Sequence, residues 1–130
     1  MFLRHLSGEA KTSFMELACL IIDSDDFDLK MTKISLSEEM NVPLALDIGR
    51  SENEIIDSLS NLLSDTEKRI VLFEVLGLSY SCKKDIHSVI EKLIDCFKLS
   101  ESVVKRYDSL LYEYKRIVNG ISETLLNEIL

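Results

Sequence analysis

Four carboxylates fall within six residues at Asp23-Ser24-Asp25-Asp26-Phe27-Asp28. Oxygen ligands at that density suit a hard divalent cation such as calcium, so Asp23, Asp25, Asp26 and Asp28 are the candidate metal ligands. The spacing is not that of an EF-hand. Counted from Asp23, the fifth place holds Phe27, the sixth lacks Gly, and Ile34 stands where the bidentate Glu belongs. The same residues also read as a solvated linker ending in an N-cap, Asp28, and both readings stay open on sequence alone.

A second candidate is a pair. Phe14–Ile22 and Ile70–Leu78 are nine-residue apolar segments with one charge each, Glu16 and Glu74. If the segments pack together, the two carboxylates meet in the interior and share a proton or a cation. That arrangement would suit a metal-dependent enzyme or accessory subunit. Otherwise each carboxylate finds its own gap on its helix.

Other chemistries lack their parts. His5 and His87 are the only imidazoles; His87 lies near Cys82, but two unlike ligands do not make a zinc site. Neither His has a carboxylate orienter at a recognisable spacing, so no nucleophilic triad is built. The four Gly are isolated, which excludes a phosphate-cradling loop. No catalytic residue is assigned, and the chain is expected not to be an enzyme.

The elements that must position these residues are helical. With one Pro and four Gly in 130 residues, the chain has few breakers. Met1–Leu6 reads as a turn of helix laid on the body. Ser7 caps a first helix running to about Ser24, and Asp28 caps a second over Leu29–Met40, with Met31, Ile34 and Met40 inward. Val42 before Pro43 stops it. Ser51-x-x-Glu54 and Ser64-x-x-Glu67 are capping boxes opening two more helices. The first turns Ile55, Ile56, Leu59, Leu62 and Leu63 inward, and the second carries Ile70–Leu78 to about Ser81. Lys83–Phe97 is amphipathic, with Ile86, Val89, Ile90, Leu93, Ile94 and Phe97 on its apolar side. Ser100 caps the last long segment, and Asn119-Gly120 offers a break before Ser122–Leu130.

Phe14–Ile22 and Ile70–Leu78 are apolar on nearly every side and must be wrapped. A slide of 58 residues superimposes them, placing Glu16 on Glu74, Leu17 on Val75 and Leu20 on Leu78. Beyond the acidic stretch the offset becomes 57, with Met40 on Phe97 and Val42 on Leu99. The pattern is a repeated helical pair whose two rods shield each other.

The net charge of −8 argues against phosphate-driven nucleic acid binding and against anionic membrane surfaces. Three Cys without C-x-x-C spacing, an N-terminus without a signal-peptide core, and no apolar run of spanning length lead to an expected cytoplasmic protein.

Phe14-Met15-Glu16-Leu17-Ala18, the acidic loop Asp23–Asp28, Arg69-Ile70-Val71-Leu72-Phe73-Glu74 and Phe97-Lys98-Leu99-Ser100 together resemble the TerB-like family of tellurite-resistance and related proteins. The resemblance spans most of residues 8–115. It implies a single all-α domain over 1–130, a bundle of about seven helices in two pseudo-repeated pairs. It also implies divalent-cation binding by loop carboxylates and a non-catalytic role in stress-response assemblies. The second loop, Ser79–Asp85, departs from the pattern: it has gained Lys83 and Lys84 and kept one acid, Asp85.

Apolar residues at 103, 104, 107, 110, 111, 114, 117, 118 and 121 form a wide stripe at helical spacing. Tyr107 and Tyr114 read as core-edge residues within it. The stripe exceeds what a small monomer readily covers, so the last helix is expected to be a homodimer seam or a protein-partner surface.

Overall fold

The computed structural model of the chain describes residues 2–22, 27–45, 48–81 and 86–129. Those residues form a short 3-10 turn at Leu3–His5 and six α-helices: α1 Gly8–Ile21, α2 Phe27–Met40, α3 Glu52–Leu62, α4 Asp65–Ser81, α5 His87–Phe97 and α6 Glu101–Ile129. No strand occurs among the described residues. The fold is an all-helical bundle. Two units are distinct, Met1–Lys98 and Leu99–Leu130.

The helix starts follow their caps. The Ser7 hydroxyl accepts from the Ala10 amide at 3.4 Å, with Glu9 in the first turn of α1. Ser51 accepts from the Glu54 amide at 3.2 Å and donates to the Glu54 carboxylate at 3.2 Å. At α4 the box closes reciprocally: the Glu67 amide donates to Ser64 Oγ at 3.2 Å and the Ser64 amide to Glu67 Oε1 at 3.1 Å. Each such cap satisfies amides that the first turn leaves without a helical partner.

Two helix ends share a device. Asn41, after α2, and Lys98, after α5, are both left-handed at φ 54° and are the non-glycine residues with positive φ among those described. At α2 the Asn41 amide donates to Glu38 O at 3.2 Å and the Val42 amide to Ser37 O at 3.1 Å, the two bonds of a Schellman motif. At α5 the Lys98 amide donates to Asp95 O at 3.3 Å.

The core of the first unit is built around α1 and α4. Phe14, Met15, Leu17, Ala18, Ile21 and Ile22 are buried, as are Val71, Leu72, Val75, Leu76 and Leu78. These two helices are not each other's principal neighbours, contrary to the rod-on-rod expectation. α1 lies mainly against α3, and α4 against α5 and the N-terminal turn. Ile55, Ile56 and Leu59 of α3 and Ile86, Val89, Leu93 and Phe97 on the α5 side are the apolar faces that cover them. Lys92 Nζ on Glu52 Oε2 at 2.9 Å and Ser60 Oγ on Cys96 O at 3.0 Å tie α3 to α5.

Several sequence expectations need correction. α1 ends at Ile21, short of Ser24. α2 begins at Phe27, so Asp28 lies inside its first turn and is not its N-cap. Met31 and Ile34 are exposed, and Leu36 and Met40 carry the buried face instead. The apolar residues of α2 are scattered around the wheel, so periodicity defines no side. Leu62 is exposed at the end of α3. α5 begins at His87 with Ile86 at its cap, not at Lys83. Asn119-Gly120 does not interrupt α6, which runs unbroken for 29 residues. The count among the described residues is therefore six α-helices and a 3-10 turn, not seven helices.

Candidate functional site

Asp23, Asp25 and Asp26 of the acidic stretch lie outside the described residues. Asp28 is exposed in the first turn of α2, where a negative charge complements the helix dipole. With Met31, Thr32, Ser35, Leu36 and Glu39 it lines an open hollow of about 430 Å³ along α2. Among the described residues, no group of three His, Cys, Asp or Glu side chains is placed to hold a metal ion.

Glu16 and Glu74 each have their own partner. Arg50 grips Glu16 with two bonds, Nε to Oε2 at 3.2 Å and Nη2 to Oε1 at 3.1 Å. Its Nη2 also reaches Ser13 Oγ at 3.4 Å. The fork matches a carboxylate geometrically and keeps Glu16 charged and paired at the edge of the core. Glu74 instead accepts from the Phe2 amide at 2.8 Å, beside the edge-on contact of the Phe2 and Phe73 rings at 5.9 Å. The sequence pattern raised the pair because it could not show Arg50, which stands 34 residues after Glu16.

Glu67 is a third carboxylate in a structural post. Besides closing its own capping box, it accepts from the Ser7 amide at 3.0 Å through Oε2. Partial burial works against its ionisation, but the bonds from the Ser64 amide, the Ser7 amide and the Ser64 hydroxyl outweigh it, so the carboxyl titrates below its ordinary value. His87 pairs with Glu91 at 2.9 Å on the exposed side of α5, an i,i+4 surface contact. Cys19 and Cys96 are free thiols, half-buried on their helices.

The carboxylates and imidazole described are thus held in capping, pairing and dipole roles. The conspicuous surface feature lies elsewhere, on α6. Val103, Val104, Tyr107 and Leu111 at its start are half-buried. From there the apolar side is exposed: Leu110 by 54%, Tyr114 by 55%, Ile117 by 58% and Ile121 by 54%. Leu125 and Leu126 continue it, also exposed. The sequence reading ended the stripe at Ile121 because Asn119-Gly120 looked like a break. Tyr114, expected at a core edge, is open. A helix of 29 residues extends about 44 Å, so this is a long apolar strip, not a few scattered residues.

The chain matches no family model, no curated protein and no solved structure.

Spacing gives the strip its form. Val104, Leu111, Val118 and Leu125 recur every seven residues, and Tyr107, Tyr114 and Ile121 repeat with the same period between them. This is the a/d seam of a coiled coil, widened on one side by Val103, Leu110 and Ile117 at g. Around it lie Lys105, Arg106, Asp108, Glu113, Lys115 and Arg116, all exposed. Among the described residues, no helix is long and apolar enough to cross a membrane. The α6 strip is apolar on one side only, the form a partner helix would take up.

Proposed function

We propose that this chain is a non-enzymatic, TerB-like helical module of the cytoplasm that acts through protein–protein contact, with the apolar side of α6 as its contact surface. The observation that carries the reading is the exposed heptad seam from Leu110 to Leu125. The roles of Glu16, Glu67 and Glu74 in bonds that hold the fold are consistent with a body that supports and does not catalyse.

The duplicated hairpin belongs to the same reading. With the offset of 57, the left-handed Asn41 and Lys98 coincide, and buried Leu36 and Met40 fall on buried Leu93 and Phe97. With the offset of 58, fully buried Phe14 and Leu17 fall on fully buried Leu72 and Val75. These coincidences support two related helical pairs, α1–α2 and α4–α5. A divalent cation at Asp23–Asp28 is the tuning element of the proposal, supported by four oxygen donors in six residues.

A photoreactive residue placed at Tyr114 tests the surface. The expected result is a covalent adduct to a second polypeptide that disappears when Ile117→Asp and Ile121→Asp are added, with none formed from a probe at exposed Asp57 of α3. Equal adducts from positions 114 and 57, or none from 114, would overturn it.

A further inference from the structure

We infer that the occupant of the α6 seam is a second copy of this chain, packed antiparallel in one register. The inference rests on the docking reading above and names its partner. The charges beside the seam select it. Asp108 and Lys115 are the charged residues on the e flank, seven residues apart, and both are exposed. In an antiparallel pair each e flank meets the e flank of the other helix, whereas in a parallel pair it meets g.

The g flank here is Val103, Leu110, Ile117 and Thr124, so a parallel pair gives Asp108 and Lys115 no ionic partner. An antiparallel pair does. Set Val104 level with Ile121 of the second copy, Tyr107 with its Val118, and Leu111 with its Tyr114. Asp108 then stands within about 3 Å along the axis of Lys115 of the second copy, and the two-fold axis makes the contact twice. The g flanks meet as Leu110 on Ile117, extending the apolar seam.

Neighbouring registers fail on the same residues. A shift by one heptad toward the C-terminus brings Lys115 against Lys115, and a shift the other way brings Asp108 against Asp108. Like charges at a seam are a standard device for excluding a pairing. The register that joins opposite charges is also the one that stacks six a/d layers between Val104 and Ile121. A self-complementary patch of this kind closes as a two-fold dimer and does not propagate.

The test is a charge cycle on the purified full chain, read by sedimentation equilibrium. The native chain is expected to dimerise. Lys115→Glu and Asp108→Lys should each weaken the dimer about tenfold, and the double variant should recover the native affinity to within about threefold. Residues 111, 112, 118 and 119 are uncharged, so Lys115→Glu alters no helix-internal ion pair. Circular dichroism checks that every variant keeps its helix content. Tighter association of Lys115→Glu would overturn the register, since it is the outcome of Lys115 facing Lys115. A double variant as weak as the singles would overturn the pairing. A monomeric native chain that still yields the adduct from position 114 would overturn the second copy as occupant and leave the docking surface standing; loss of the adduct as well would overturn both.

Discussion

α1 and α6 are both rich in apolar residues, and the chain treats them in opposite ways. On α1 the side chains of Phe14, Leu17 and Ala18 are fully buried, and the one charged residue of the apolar stretch, Glu16, is gripped by Arg50. On α6 the apolar side is continuous from Leu110 to Leu125 and stays open. Apolar content alone does not set burial; the distribution around the helix does. A helix apolar on most sides is drawn into a core, whereas one with a single apolar face and a charged remainder can present that face outward.

The sharpest way to break this contrast is to cut into each face. Phe14→Ala should cost about 3–5 kcal/mol, because a fully buried ring leaves a cavity that α1 and its neighbours cannot fill. Denaturant unfolding measures it, and a loss below about 1 kcal/mol would mean that α1 is not the centre of its unit. A smaller effect is expected from Glu67→Gln, about 1–2 kcal/mol, since two capping amides lose a charged acceptor. Its signature is pH. The folded carboxyl titrates below its ordinary value, so its contribution is fully present above the unfolded glutamate value, about 4.3. It fades as the pH falls through the lower folded value. Stability curves of the native chain and Glu67→Gln should converge on acidification.

Next comes a gain. Lys98→Gly should stabilise by about 0.5–1 kcal/mol, because the residue sits at φ 54° where a Cβ is unfavourable. A loss would show that the Lys98 side chain outweighs its backbone. The smallest change belongs to α6: Ile121→Asp should move the unfolding free energy of the body by less than about 0.5 kcal/mol, since the side chain is 54% exposed. A large loss would place Ile121 in a core and erase the difference between the two helices.

The helix starts were legible because their signals are local. Ser51-x-x-Glu54 and Ser64-x-x-Glu67 carry both partners of the cap within four residues, and α5 shows its buried face at regular spacing. The face of α2 was not legible. Leu29, Met31, Ile34, Leu36 and Met40 point in several directions, so only packing decides that Leu36 and Met40 go inward. Arg50 was missed for a related reason: nothing near it in sequence marks it as the partner of Glu16. The bond from Glu67 to the Ser7 amide spans 60 residues and left no trace in either motif. At the α6 surface the stripe was readable, but its end was not. Gly120 looked like a stop, whereas it is helical, and its carbonyl accepts from Thr124 Oγ1 at 2.9 Å.

That glycine has a consequence for α6. A Cβ at position 120 would meet no other atom within 4 Å, so no crowding from neighbouring atoms calls for glycine there. In a helix interior Gly is about 1 kcal/mol poorer than Ala, mostly through backbone entropy. The nine residues after it are thus coupled to the preceding turns through the least committed joint of the rod. Whatever clasps Ile121 and Leu125 also stiffens that joint, and the tail's rigidity becomes a gauge of occupancy.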